Sequence, residues 1–191
     1  MDYYKKLVGD RIYLSPQKGN EEEIEKCTQW LNDFNVTDYV DKSSRLITYQ
    51  DEVAYFENKF KNGDNNRHFD IIDLETDKLV GVIGLDSINW INRCASLGIF
   101  IGEADYRNHG YGREAIKLIL EYGFKYLNLH SINLSVLNVN KRAHKCYLKC
   151  GFKDSGIDRD RVFVNGKYYN LIRMDILSDE FVGDFIKNKN I

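Results

Sequence analysis

The chain has 191 residues, of which 27 are Lys or Arg and 29 are Asp or Glu, so its formal net charge is −2 with histidine neutral. This length suits one domain with a sizeable core, and the lack of a basic surplus argues against nucleic acid as the main partner. No apolar run approaches the roughly 18 residues of a membrane span, and no signal peptide is visible, so we expect a cytoplasmic protein off the membrane. The four cysteines and four histidines lack zinc-site spacing, so no metal is expected.

Hydrophobic periodicity predicts extended segments along most of the chain, separated by turns and helices. Asn165-Gly166, between the last two segments, is a residue pair that favours a tight hairpin. We expect the segments to form a mixed central sheet of about seven strands. The segments are residues 11–14, 68–74, 79–88, 93–101, 131–137, 152–157, 161–164 and 168–177.

Apolar residues at helical spacing predict the helices. The first helix begins at a capping box made by Asn20 and Glu23 and continues to about Phe34. A second helix ends near Gly63, and the tail from Ser178 is expected to add one short helix. With the two helices described below, the order of elements predicts a single three-layer α/β domain with helices on both faces of the sheet. Its core spans about residues 11–177, and residues 178–191 form the tail.

The stretch from Leu97 to Phe124 reads as a strand, a glycine turn and a helix. Gly110 and Gly112 let backbone N–H groups approach a ligand, and the helix that follows offers unpaired N–H donors and the positive end of its dipole. Arg107 adds a cation, so the turn is suited to a pyrophosphate. The helix carries Ala115, Ile116, Ile119, Leu120 and Phe124 on an apolar face and Glu114, Lys117, Glu121 and Lys125 on a polar face.

This turn resembles the phosphate motif of the GNAT N-acetyltransferase superfamily, (Arg/Gln)-x-x-Gly-x-(Gly/Ala), from Arg107 to Gly112. The order of elements is also that of GNAT domains, so the resemblance covers nearly the whole chain. It implies acetyl-CoA as co-substrate and a splayed strand along which pantetheine lies. The residues it assigns to the cofactor there are Ile99, Phe100, Ile101, Arg107, Asn108, His109, Gly110, Tyr111, Gly112 and Arg113.

Another helix is expected to begin at Asn140 and end at Gly151. The segment from Asn140 to Phe152 resembles the family pattern Asn-x-x-Ala-x-x-x-Tyr-x-x-x-Gly-Phe. The resemblance implies that Asn140 bonds the pantetheine, that the small Ala143 lets the thiol arm pass, and that Tyr147 protonates the departing thiolate. The attacking amine must first lose its proton, because an ammonium has no lone pair. Many relatives carry glutamate for this purpose where Ser96 stands, and Glu103 lies past the strand.

The run from Val80 to Met174 looks most like the ribosomal-protein-alanine and spermidine acetyltransferase branch, although relatives often have aspartate at Asn170. The expected reaction is direct transfer of acetyl to a primary amine in a ternary complex. The acceptor stays open between a protein N-terminus, a polyamine and another small amine, and a homodimer stays open beside a monomer. We expect the acceptor to enter between residues 35–49, a polar and irregular segment, and the hairpin at 159–166.

Two alternatives differ in chemistry. Gly110-x-Gly112-x-x-Ala115 also fits a dinucleotide-binding fingerprint, but the acidic residue expected about 20 residues later is absent. The lack of glutamate at Ser96 would suit a catalytically silent acetyl-CoA-binding or regulatory module, whereas an intact Tyr147 favours an enzyme.

Overall fold

A mixed sheet of eight strands forms the middle layer of the computed structural model, which describes residues 3–39, 43–61 and 65–189. The strands are β1 (Leu7–Val8), β2 (Ile12–Pro16), β3 (Arg67–Asp73), β4 (Leu79–Asn89), β5 (Cys94–Ile101), β6 (Ser131–Leu137), β7 (Lys153–Val164) and β8 (Lys167–Leu177). Their order across the sheet is β1-β2-β3-β4-β5-β6-β8-β7. Neighbours are antiparallel except β5 and β6, which run parallel.

Helices cover both faces of this sheet. On one face α4 packs over a core that includes Ile12, Ile71 and Leu85, and on the other face α1 and α3 cover Tyr13 and Ile72. The single α/β domain with three layers is therefore confirmed. Within the described residues every helix is too short or too polar to span a bilayer. The helices are α1 (Glu21–Leu31), α2 (Phe34–Thr37), α3 (Tyr49–Lys61), α4 (Tyr111–Glu121) and α5 (Lys141–Lys149).

The strand count differs from prediction at both ends of the sheet. The short β1 was not predicted, because two residues are too few for an alternating pattern. The segments at 152–157 and 161–164 are one strand, β7, which stays paired with β8 through two bulges. At the second bulge Asp160 has φ +47°, and its N–H donates to Asn170 Oδ1 at 2.9 Å. Asn170 therefore supports the bulge.

The first predicted helix divides near Asn32 and Asp33. Asn20 caps α1 as expected, accepting from the N–H of Glu23 at 3.0 Å. The Asp33 side chain then accepts from the N–H of Asn35 and begins the four-residue α2, so residues 35–49 are partly helical rather than wholly irregular. The predicted end of the next helix, near Gly63, lies outside the described residues.

The tail does not form the helix that was expected. Its backbone N–H groups donate to other parts of the chain instead. Phe185 and Ile186 donate to the Glu121 carboxylate, and the N–H of Lys187 donates to Val8 O. Lys189 Nζ lies 2.7 Å from the same carboxylate. Glu121, predicted on the polar face of α4, is fully buried because the tail covers it.

Glu121→Gln tests whether the Glu121 carboxylate anchors the tail. Burial alone raises the pKa of Glu121, but the hydrogen bonds from Lys189 and from the N–H groups of Phe185 and Ile186 outweigh it, and the folded-state pKa lies below the ordinary 4.5. A lowered pKa stabilises the fold above the unfolded-state pKa, and this stability is lost as the pH falls through the folded-state pKa. We expect urea unfolding of the variant at pH 7 to show a loss of about 2 kcal/mol that disappears in acid.

The matched control is Glu75→Gln, which changes a carboxylate in an exposed turn. It should unfold like the wild type at every pH. Equal stability of the wild type and Glu121→Gln at pH 7 would contradict the anchoring role.

Candidate active site

The site begins where β5 and β6 separate. The two strands pair only from Cys94 to Ser96, opposite Ser131 to Asn133. Ser96 Oγ donates to Asn133 Oδ1 at 2.6 Å, and Asn133 Nδ2 donates to Ala95 O at 3.1 Å. These side-chain hydrogen bonds lie at the last paired position of β5 and β6. Beyond it the strands separate, and both line one cleft. The splayed strands that the resemblance implied are present, and we call this separation the fork.

Alternate residues of β5 direct their backbone N–H and C=O groups toward the fork. Gly102 N–H donates to Val80 O at 3.0 Å, and hydrogen-bonded pairs alternate along an antiparallel ladder. Phe100 therefore directs its N–H and C=O at Val82, while Ile99 and Ile101 direct theirs at the fork. This differs from the expectation for Phe100.

The Phe100 side chain packs on the face of the sheet that α1 covers. There its ring meets the Trp30 ring edge to face, with the ring centroids 6.0 Å apart. At the far end of β5, Arg107 Nε donates to Ile101 O at 3.0 Å and Nη2 donates to Gly102 O at 2.7 Å. The guanidinium therefore fixes the turn through its carbonyls, and the Ile101 carbonyl is already satisfied.

The glycine turn has the shape of an anion site. Asn108 has φ +67° and Gly110 has φ +89°, and Gly110, at the N-cap of α4, has no side chain to cap the first N–H groups of that helix. Arg11, the residue before β2, reaches this turn: its Nη1 donates to His109 O at 2.7 Å, and its Nε pairs with Glu114 at 3.2 Å. Arg11 escaped the sequence analysis because it lies almost 100 residues away from the motif.

The remaining motif residues divide between the cleft and the core. Asn108, His109, Gly112 and Arg113 line the cleft. Tyr111 turns its side chain away, and its hydroxyl donates to Asp73 Oδ2 at 2.8 Å. Only the backbone of Tyr111 is therefore placed to contact a cofactor.

On the other wall, α5 presents the second motif. Asn140 Oδ1 accepts from the N–H of Ala143 at 3.1 Å and so caps the helix, which leaves the Asn140 NH2 group to donate to a ligand. Tyr147 lines the cleft and packs against Phe152 with ring centroids 6.0 Å apart. Burial raises the pKa of the Tyr147 phenol, and the Cys146 sulfur acts in the same direction. The hydroxyl is therefore protonated at neutral pH.

The cleft has a volume of about 1020 Å³ and passes through the fork from one face of the sheet to the other. We call the face of the sheet that α4 covers the first face, and the face that α1 and α3 cover the second face. Basic side chains from the β5 turn, α4 and α5 line the cleft on the first face, whereas both carboxylates among the described lining residues lie on the second. The charge of the cleft is thus divided by the sheet. The basic residues are Arg107, Arg113, Arg142, Lys145 and Lys149, and the acidic ones are Glu52 and Asp86.

The second face holds a polar group that the sequence analysis missed. His68 Nε2 lies 2.6 Å from Asp86 Oδ1, and both residues line the cleft. Burial, followed by the charges of Asp86 and Glu52, raises the pKa of Tyr55 to about 12. A histidine at the outer end of an apolar strand was the available signal, but its partner lies 18 residues later, on β4.

The two residues considered for the base are engaged elsewhere. Ser96 is bonded to Asn133. Glu103 pairs with Lys78 at 2.7 Å and Lys26 at 3.2 Å. Burial raises the pKa of Glu103, but the hydrogen bonds from these lysines outweigh it and leave the pKa lowered. Glu103 is therefore a structural ion pair.

The predicted acceptor entrance agrees with the cleft on one side. Asn35 and Tyr39, both in the 35–49 segment, line it. None of the described residues from 159 to 166 does so, because the β7–β8 hairpin projects away and only Leu171, further along β8, reaches the cleft.

Comparison with known proteins assigns the family. The Acetyltransferase (GNAT) domain family matches residues 11–153. The chain belongs to the GNAT acetyltransferase family. Spermidine N(1)-acetyltransferase of Vibrio cholerae is 34% identical over 132 residues, covering 69% of this chain and 75% of that protein. A probable N-acetyltransferase of Bacillus subtilis, YjcK, is 33% identical over 172 residues, covering 84% of this chain and 90% of that protein.

The fold agrees with a solved relative. The crystal structure of spermidine N-acetyltransferase from Vibrio cholerae in complex with CoA and spermine has a TM-score of 0.80 and 28% identity, covering 89% of this chain and 97% of that one. This GNAT chain is thus an N-acetyltransferase with acetyl-CoA as its co-substrate, as predicted. The dinucleotide alternative and the silent-module alternative are not supported.

Cys146 offers a chemical test of the cleft, which it lines. A hydrogen bond from Cys150 lowers the pKa of the Cys146 thiol against the opposing effect of burial, and Arg113 adds to the lowering. The thiolate is the reactive form. We expect iodoacetamide near neutral pH to alkylate Cys146 faster than Cys94, measured by mass spectrometry. CoA at roughly ten times its Kd should slow Cys146 about tenfold and leave Cys94 unchanged; equal labelling with and without CoA would place the cofactor elsewhere.

Proposed function

We propose that this acetyltransferase acetylates a primary amine of a polyamine or a similar small polycation, by direct attack on acetyl-CoA in a ternary complex. The observation that carries the proposal is the divided charge of the one cleft. Its basic face suits the phosphates of CoA, and its acidic face suits a cationic amine. The relatives named spermidine N(1)-acetyltransferase support this acceptor class.

The cofactor enters from the basic face. Its pyrophosphate lies on the turn from Arg107 to Arg113, where the first N–H groups of α4 and the nearby Arg11 guanidinium supply positive charge. Pantetheine follows the fork as an added strand along Ile99 and Ile101. The Asn140 NH2 group donates to this arm, and Ala143 leaves room beside it.

The amine enters from the acidic face. Glu52 is a buried carboxylate of α3, and Asp86 lies on β4 across the cleft. A carboxylate in a partly desolvated pocket attracts an ammonium more strongly than one in open water. The Tyr39 and Tyr55 rings add faces on which alkylammonium groups can lie. A diamine or longer polyamine can place one ammonium group near each carboxylate at the same time, whereas a monoamine cannot.

The reaction then takes place at the fork, where the two faces meet. The neutral amine attacks the thioester carbonyl, and the unpaired N–H groups of β5 stabilise the oxyanion. Tyr147 donates its proton to the departing thiolate. No covalent enzyme intermediate is needed. Assembly into a homodimer and the cytoplasmic location stay predictions.

Tyr147→Phe tests the proton donor. The change keeps the ring and its packing against Phe152 and removes only the hydroxyl, so kcat should fall by about 10²–10⁴-fold, while CoA affinity and Tm stay nearly unchanged. Steady-state kinetics and calorimetry measure these quantities. Tyr126→Phe, at an exposed position, is the control and should be inert. Normal turnover by Tyr147→Phe would reduce Tyr147 to a packing residue.

Glu52→Gln tests the acceptor class, measured over a panel of monoamines, diamines, polyamines and N-terminal peptides. We expect the wild type to prefer polyamines, and the variant to raise the polyamine KM about tenfold, in keeping with about 1.4 kcal/mol of lost charge pairing. The KM for acetyl-CoA should not change. Glu57→Gln, on the exposed side of the same helix, is the matched control. Preference for peptides in the panel would reject the polyamine proposal.

A further inference from the structure

We propose that the Asp86 carboxylate, oriented by His68, receives the proton that the acceptor amine loses before it attacks. The proposal rests on the proposed function in one respect, that the amine enters from the acidic face of the cleft. It supplies the reaction with the base that neither Ser96 nor Glu103 can provide.

Asp86 lies in the right place for this role. It is the cross-strand partner of Ser96, so its side chain lies on the same face of the sheet as that position. The family resemblance places the base at the position of Ser96 on β5. In this chain a carboxylate lies beside that position, on the neighbouring strand β4, and it lines the same cleft.

The second oxygen of Asp86 is open toward the cofactor strand. A Cβ placed on Gly98 would lie 3.7 Å from Asp86 Oδ2, so this oxygen lies above β5 one residue before Ile99. The Asp86 side chain is 47% exposed and can therefore be reached by an amine or by one water between the two. The first oxygen, Oδ1, is the one held by His68.

The packing of His68 favours one arrangement of its ring hydrogen. Its side chain is only 11% exposed, and its ring lies directly on Gly84, where a Cβ would come within 2.0 Å of the ring. His68 Nδ1 is buried and has no hydrogen-bond partner among the described residues. A proton on Nδ1 would be an unsatisfied buried donor, which costs about 1–3 kcal/mol. The tautomer with hydrogen on Nε2 is thus favoured, and Nε2 donates to Asp86 Oδ1.

The surroundings of Asp86 are acidic or neutral. The titratable groups that face it are His68 from β3 and Glu52 and Tyr55 from α3. Lysine and arginine are absent from the described residues that line this face of the cleft. Among the described lining residues, an arriving ammonium therefore meets no lysine or arginine at Asp86.

The proton balance of the step closes. The ammonium gives one proton to Asp86, which later releases it to solvent, and the nitrogen lone pair forms the new C–N bond. The C–S bond breaks, and the thiolate takes the Tyr147 proton. The second amine proton leaves the tetrahedral intermediate and restores the phenol. No oxidant, reductant or further co-reactant is needed.

Asp86→Asn is the decisive variant, because it keeps the shape and removes the base. At neutral pH kcat should fall about 10²-fold. Free amine grows tenfold per pH unit below its pKa near 10.4, so the defect should shrink as pH rises. With a weakly basic primary amine that is already neutral at pH 7, the defect should largely vanish. CoA affinity and Tm should match the wild type, and Asp179→Asn, exposed in the tail, is the control.

His68 is tested by a pair of substitutions. His68→Gln keeps an N–H that can reach Asp86 and should retain most of kcat, whereas His68→Leu should lose about tenfold with the same pH-dependent pattern as Asp86→Asn. A loss by Asp86→Asn that is the same at every pH and for both amine types would overturn the proposal. So would a raised acceptor KM with unchanged kcat, which would make Asp86 an anchor only.

The Asp86→Asn experiment can succeed or fail independently of the acceptor proposal. It uses the best primary amine of the panel, whatever its class. A panel that prefers peptides rejects the polyamine acceptor, yet the Asp86→Asn pH profile and the weakly basic amine still decide on the base.

Discussion

The fork between β5 and β6 is the constraint on which the rest of the structure depends. Three pairs join the strands, and the Ser96–Asn133 hydrogen bond closes the last of them. Past that point the backbone N–H and C=O of Ile99 and the N–H of Ile101 need other partners, since backbone groups without a hydrogen bond are costly. A ligand that resembles a strand can supply those partners, and the opening it occupies also joins the two faces of the sheet.

That opening explains how two unlike ligands share one cleft. The cofactor face takes its cations from α4 and α5, and the acceptor face takes its carboxylates from α3 and β4. Because the sheet separates the two sets of charges, they do not neutralise each other before the ligands bind. Ser96 on β5 makes the hydrogen bond that ends the pairing with β6, and its cross-strand partner Asp86 lies on β4. The structural role and the proposed acid–base role therefore belong to residues on neighbouring strands.

The sequence predicted the elements whose signals are local. The glycine turn, the capped α1, the helix from Asn140 and the Asn165-Gly166 hairpin were all found by motif or periodicity, and the family followed from two of these segments. Predictions failed where contacts are distant. Glu121 was placed on a polar face because helical spacing cannot show that the tail returns to cover it. The tail itself was expected to be helical, but its N–H groups bond to Glu121 and Val8 instead.

By itself, then, the sequence determined the fold class, the family, the co-substrate and the order of most of the elements, because these depend on residues close together in the chain. Only the tertiary structure decided which groups meet at the fork. Arg11 reaches the phosphate turn from its position just before β2, and His68 on β3 lies against Asp86 on the neighbouring strand β4. Such pairs depend on strand register, which aligns residues far apart in sequence and leaves no periodic trace in the chain.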